Sequence, residues 1–253
     1  MRSVAFADSP DAKVVAPPER ASSLLRVFVK ICGVTSEEDG LLAVGMGADA
    51  LGLNFVLGSK RQIAVDRARD IVRRLPSETM TVGIFRNELP ERVVEIVQRA
   101  GLRAAQLHGD ESAEDARRVR SRIPVVIKAF AAGHPALSRV ADFGADAIMI
   151  DGAEPGSGEV FDWSLAEGAP SAGHRVLLAG GLHPGNVADA IARVRPWGVD
   201  VATGVESAPG RKDPVKLREF IAKARAAGAQ LPDYASGAKT EDAPYNWEED
   251  FLS

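Results

Sequence analysis

Four side chains in this 253-residue chain have the types and settings for chemistry: Cys32 in "VFVKICG", Arg61 in "GSKRQI", His108 in "AAQLHG" and Asp151 in "DAIMID". A thiolate and a protonated carboxyl supply a base and an acid. A guanidinium can grip a carboxylate in a two-pronged fork, and an imidazole can support either group. Residue type alone leaves each of these open. The single cysteine can equally be a small buried hydrophobe, Arg61 a solvated loop residue, and Asp151 a tie for its own loop.

What separates these readings is the set of elements that would position the side chains. Short β-branched runs recur at 27–33, 48–56, 80–85, 104–109, 124–130, 146–151, 175–181 and 198–204. Amphipathic stretches with three- and four-residue apolar spacing follow at 36–47, 65–75, 89–101, 112–122, 134–144, 183–194 and 213–228. After the sixth run only "DWSLAEG" offers a short helix. Eight βα units imply a parallel sheet closed into a (βα)8 TIM barrel, a single α/β domain over residues 26–229. An open dinucleotide-binding sheet would carry a Gly-rich turn after its first strand, and "CGVTSEED" has one glycine.

The barrel sorts the side chains. Active groups gather at the C-terminal ends of its strands. Alternation turns Val27, Val29 and Ile31 toward the helices and Phe28, Lys30 and Cys32 toward the interior. Cys32 is then the topmost inward residue of its strand, and Asp151 tops strand six above Met149, on a separate arc of the same mouth. Lys30 lies one layer below Cys32, and Asp200 points inward on the neighbouring strand eight. A buried Lys30–Asp200 pair accounts for both charges, and its field could also favour the Cys32 thiolate. Arg61 is expected to project across the mouth from the last loops, and His108 to act as a hydrogen-bonded support. Glycine-containing loops follow strands six, seven and eight ("PGSGEVFDW", "AGGLHPGN", "ATGVESAPGRKD"), the usual place for a phosphate held by main-chain N–H groups.

Composition narrows the partners. A net charge of −4 gives no electrostatic case for nucleic acid or an anionic membrane. No apolar run reaches the roughly 18 residues of a membrane span. One cysteine excludes an internal disulfide, and no Cys/His cluster has metal-binding spacing, so a cytoplasmic protein without metal or cofactor is expected. Residues 1–25, with Pro17 and Pro18, read as a mobile arm. Residues 230–253 form a tail whose Tyr245, Trp247 and Phe251 could dock. A monomer is expected rather than a homodimer, with a small-molecule substrate as the partner.

Taken in order, "VKICG", "GSKR", "QLHGDE", "ID" with "GSGEVFDW", "LAGGLHPGNV" and "VDVATGVESAPGRKD" resemble phosphoribosylanthranilate isomerase, from about Val27 to Ala227. The resemblance implies a cofactor-free Amadori rearrangement of N-(5′-phosphoribosyl)anthranilate in tryptophan biosynthesis. It implies Cys32 as general base and Asp151 as general acid, with Arg61 holding the substrate carboxylate. It further implies phosphate contacts around Gly156, Gly158, Gly180, Gly181, Thr203 and Gly204. The second strand lacks the family's frequent aromatic-proline step, so Asn54 is expected near the aromatic ring where an apolar residue is common. Two alternatives stand beside this reading. One is the isomerase of histidine biosynthesis or a dual-substrate enzyme, a class that typically has an aspartate at the position of Cys32. The other is a non-catalytic phosphosugar-binding barrel.

Overall fold

In the computed structural model, residues 27–152, 161–168 and 174–231 are described. The N-terminal arm, the aromatic residues of the tail, Gly156 and Gly158 lie outside them. Eight parallel strands close into a barrel in sequence order: β1 (Phe28–Cys32), β2 (Ala50–Asn54), β3 (Met80–Phe85), β4 (Ala104–Leu107), β5 (Val125–Ala131), β6 (Ala147–Asp151), β7 (Val176–Leu178) and β8 (Gly198–Val201). The described α-helices are α1 (Glu37–Gly45), α2 (Val65–Val72), α3 (Pro90–Ala100), α4 (Ala113–Arg120), α5 (Val187–Val194) and α6 (Pro214–Gly228).

Local chemistry starts these helices. Ser36 caps α1 by accepting from the Asp39 N–H, and Ser112 and Asp115 form a reciprocal capping box on α4. Asp213 caps α6 by accepting from the Val215 and Lys216 N–H groups. Two expected helices are corrected. Residues Pro135–Phe143 form a 3-10 segment kinked at Arg139, with only Val140 buried, so too little apolar surface is covered to hold a regular α-helix there. The "DWSLAEG" stretch contributes a single 3-10 turn, Trp163–Leu165, capped by Asp162.

Strand alternation divides the apolar residues into two clusters as the sequence predicts. Val27, Val29 and Ile31 pack outward against the helices. Ala50, Met80, Val82, Ala104, Ile127 and Met149 fill the interior, which Phe28 and Trp197 close with rings stacked 4.4 Å apart. Two buried lysines above this plug are paired. Where β1 meets β8, the register sets Lys30 opposite Asp200, and the ammonium lies 2.6 Å from the carboxylate. On β5 the buried Lys128 pairs with Glu111 at 3.0 Å and donates to the Gly109 carbonyl, tying β5 to the loop after β4.

Removing one member of a buried pair leaves the other charge stranded. Lys30→Met is therefore expected to destabilise the fold by about 3–5 kcal/mol. The Lys30→Met/Asp200→Leu double variant should recover much of that loss, measured by urea unfolding followed through tryptophan fluorescence.

Candidate active site

The C-terminal ends of the strands surround a cavity of about 650 Å³ whose walls include Cys32, Asn54, Arg61, Ile84, Arg86, His108, Asp151, Asp200, Thr203 and Glu206. The sequence-predicted base, acid, guanidinium and imidazole thus share one space.

Cys32 ends β1, its backbone in register with Gly52 of β2. The residue is only partly exposed to the cavity. Burial pushes the thiol above its ordinary range. The Lys30 ammonium beneath it pulls in the opposite direction, Asp200 adds to the rise, and Lys212 opposes it. The expected help from Lys30 is therefore real in sign, but desolvation outweighs it. Burial also works against the charge on Lys30 itself, yet Asp200 and Cys32 together leave that ammonium above its ordinary range.

Asp151 ends β6 and is buried. Its Oδ1 accepts from the Gly152 N–H at 2.7 Å, while Oδ2 lies 3.2 Å from His108 Nε2. The other ring nitrogen, Nδ1, is 2.8 Å from Gln106 Nε2, itself buried one alternation below on β4. With the amide donating to Nδ1, Nε2 is the ring nitrogen beside the carboxylate, and the two groups approach without forming an aligned hydrogen bond. His108 thus lies between Asp151 and Gln106. Gln106 is the partner that sequence reasoning missed.

Arg61 departs from expectation. It does not face the last loops from across the mouth but bonds to the loop after β8: Nε and Nη2 reach Glu206 Oε1 and Oε2 at 2.8 and 2.7 Å, and Nη2 donates to Thr203 Oγ1 at 3.0 Å. Barrel closure brings the loops after β2 and β8 together over the end of β1. Gly33 leaves the room for it. Its φ is +73°, and a Cβ there would sit 2.3 Å from Arg61 Cδ. The hydrogen bond to Glu206 holds Arg61 more firmly charged, against some loss from burial. Asn54 is committed to its own loop: Oδ1 accepts from the Val56 N–H and Nδ2 donates to Ser59 Oγ. Val56, Leu57 and Ile84 supply apolar wall beside it.

Glu206 and Lys212 were also missed. They oppose each other in the two-stranded ribbon β9 (Glu206–Ala208) and β10 (Arg211–Lys212), with Nζ 3.0 Å from Glu206 Oε1 and 2.6 Å from the Cys32 carbonyl oxygen. Burial pulls Lys212 below the usual lysine range, and Glu206 offsets part of that. Next to them, Gly180, Gly181, Thr203 and Gly204 line a second cavity of about 60 Å³ that Asp151 and Asp200 also border. Gly180 and Gly181 both have positive φ, and a Cβ on Gly204 would come within 1.9 Å of the Leu182 carbonyl oxygen, so the two loops meet backbone to backbone.

A (βα)8 barrel with a thiol and a carboxyl on separate arcs of its mouth, beside a guanidinium and close-packed glycine loops, has the groups that an acid–base enzyme of an anionic small molecule needs. Residues 29–223 match the family model described as N-(5'phosphoribosyl)anthranilate (PRA) isomerase. Curated relatives of that name include those of Trichlorobacter lovleyi, 47% identical over 79% of this chain and 99% of the relative, and Desulforudis audaxviator, 49% identical over 79% and 98%. Similar solved structures include the phosphoribosyl anthranilate isomerase of Thermus thermophilus, with TM-score 0.74, 44% identity and coverage of 78% of this chain and 98% of that one. Another is a phosphoribosyl anthranilate isomerase in complex with reduced 1-(o-carboxyphenylamino)-1-deoxyribulose 5-phosphate, with TM-score 0.72, 40% identity and coverage of 79% and 99%. The chain belongs to the N-(5′-phosphoribosyl)anthranilate isomerase family, and is an isomerase of tryptophan biosynthesis. Among the described residues no helix is long and apolar enough to cross a membrane.

The rate at which iodoacetamide alkylates Cys32 is expected to rise with pH through an inflection above the roughly 8.5 of a free thiol. An inflection below that value, read from mass spectrometry of quenched samples, would contradict the dominance of burial.

Proposed function

We propose that this enzyme opens and rearranges N-(5′-phosphoribosyl)anthranilate with Asp151 as general acid and Cys32 as general base. The observation that carries the proposal is their joint exposure to one cavity from β1 and β6, with cation and glycine loops alongside. Asp151 gives a proton to the furanose ring oxygen as the C1–O bond breaks and the anilino nitrogen's electron pair forms the iminium. Cys32, as thiolate, takes the proton from C2, which the iminium has made acidic. The electrons of the C2–H bond move to form the enolamine, which tautomerises to the 1-deoxyribulose ketone.

Asp151 enters the reaction as the protonated carboxyl, and the His108 ring 3.2 Å from its Oδ2 holds that carboxyl in place. Lys30 and Lys212 supply the positive field in which the Cys32 thiolate forms. The substrate phosphate is assigned to the main-chain groups of Gly180, Gly181 and Gly204 with the Thr203 hydroxyl, and to Gly156 and Gly158, which lie outside the described residues. Arg61 is assigned to the anthranilate carboxylate, with Val56, Leu57 and Ile84 against the aromatic ring. A cysteine at the end of β1 supports the tryptophan-pathway substrate over the bisphosphorylated substrate of the histidine pathway. We also place the enzyme in the cytoplasm, as a monomer, whereas the similar phosphoribosylanthranilate isomerase of Thermotoga maritima is dimeric and has been solved as generated monomers.

Freshly generated phosphoribosylanthranilate should lose its anthranilate-type fluorescence on addition of the enzyme. Cys32→Ser and Asp151→Asn should each lower kcat by at least about 100-fold, the usual scale for a positioned acid or base. Near-full activity of Cys32→Ser would sink the assignment of the base. Sedimentation equilibrium should return the chain mass of 26.8 kDa, and twice that mass would exclude the monomer.

A further inference from the structure

The Glu206 carboxylate is the junction of the active-site rim. Both its oxygens take Arg61, through Nε at 2.8 Å and Nη2 at 2.7 Å. Oε1 also accepts from Lys212 Nζ at 3.0 Å and from the Gly210 N–H at 3.3 Å. The cluster is built before anything binds to it, because its parts are fixed from several sides. The β9–β10 register sets Lys212 opposite Glu206, and Lys212 Nζ is also held by the carbonyls of Cys32 and Ala202. The Thr35 hydroxyl donates to the Gly210 carbonyl at 2.6 Å, fastening the turn of this ribbon to the loop after β1. Glu206 is 7% exposed, and both cations hold its carboxyl below the ordinary range despite its burial.

Two consequences follow for Arg61. The first is geometric: with Nε and Nη2 engaged, Nη1 is the nitrogen that makes no hydrogen bond among the described residues, while Arg61 lines the large cavity. A free arginine side chain loses rotamer entropy when it grips a ligand, and one already clamped along one edge does not. The second is electrostatic: Glu206 cancels one of the two positive charges of Arg61 and Lys212. The cluster therefore offers one net positive charge, which matches a single carboxylate.

We propose that Glu206 is a positioning residue for substrate recognition, which locks Arg61 through Nε and Nη2 and trims the local charge so that the remaining nitrogen, Nη1, selects a substrate bearing one aromatic carboxylate. The proposal rests on the assignment of Arg61 to the anthranilate carboxylate, and its test keeps the two apart.

The test compares two reduced product analogues, one with the ring carboxylate and one with a plain phenyl ring, as inhibitors of wild type, Glu206→Gln, Arg61→Ala and the double variant. Glu206→Gln should raise the Ki of the carboxylated analogue by roughly 10- to 100-fold, the loss of the held Arg61 geometry outweighing the gain of one positive charge, and that of the phenyl analogue by less than about 3-fold. In turnover it should raise KM for phosphoribosylanthranilate more than it lowers kcat. In the Arg61→Ala background it should add almost nothing, since the two residues act as one unit. Equal losses on both analogues, or full additivity with Arg61→Ala, would show a merely structural role and overturn the proposal. If Arg61→Ala itself fails to distinguish the analogues, the carboxylate assignment falls first, whatever Glu206 does. Circular dichroism establishes that each variant is folded. Should Glu206→Gln not fold, Glu206→Asp, which keeps the charge but shortens the reach, must show the same selective loss.

Discussion

The contact on which the rest depends is the buried ion pair of Lys30 and Asp200 at the seam where β1 meets β8. A closed barrel has to bring its first and last strands together from opposite ends of the chain. The register that sets Lys30 against Asp200 also aligns Phe28 with Gly198 and Ile31 with Val201. A slip of one residue would turn one of the two charges toward the helices and leave both unpaired. The penalty for burying an unpaired charge therefore enforces the alignment. The same alignment puts Cys32 one step above Lys30, at the surface of the cavity. Barrel closure and the placement of Cys32 are one constraint.

Above that seam, buried cations serve as rivets for loops. Lys128 holds the loop after β4 through Glu111 and the Gly109 carbonyl, and Lys212 holds the end of β1 to the ribbon after β8. Each ammonium has more donors than one carboxylate needs, so the surplus reaches main-chain carbonyls that loops leave unsatisfied. Loops held this way keep Asp151, Cys32 and Arg61 in fixed relation.

The sequence carried the fold in its periodicities, and the strand-borne residues with it. Alternation alone placed Cys32, Lys30, Asp151 and Asp200 correctly, because a strand has only two faces and the barrel gives each one a meaning. The contacts of Arg61 were less legible. Its partner Glu206 is 145 residues away in sequence, and both sit in loops whose path is set by hydrogen bonds to Asn54, Thr35 and Gly210 rather than by a repeating pattern. Gln106 was hidden for another reason. A polar residue on a four-residue strand gives no signal until His108 is seen above it. The 3-10 segment at Pro135–Phe143 failed as a helix because apolar spacing says which face would be buried, not whether anything is there to cover it.

The placement of Cys32 carries a cost that clarifies its role. Burial favours the neutral thiol, so the thiolate must form against desolvation, with Lys30 and Lys212 opposing that cost. A base stabilised fully by its neighbours would be a weak one, since the field that holds the anion also lowers its appetite for a proton. Cys32 sits between these limits: two ammonium groups oppose the cost of its thiolate, and burial still holds the thiol above its ordinary range. In the proposed reaction the proton it removes is on a carbon made acidic only after the ring has opened. The proposed acid and base are then coupled through the substrate, and no direct contact between Cys32 and Asp151 is required for them to act in order.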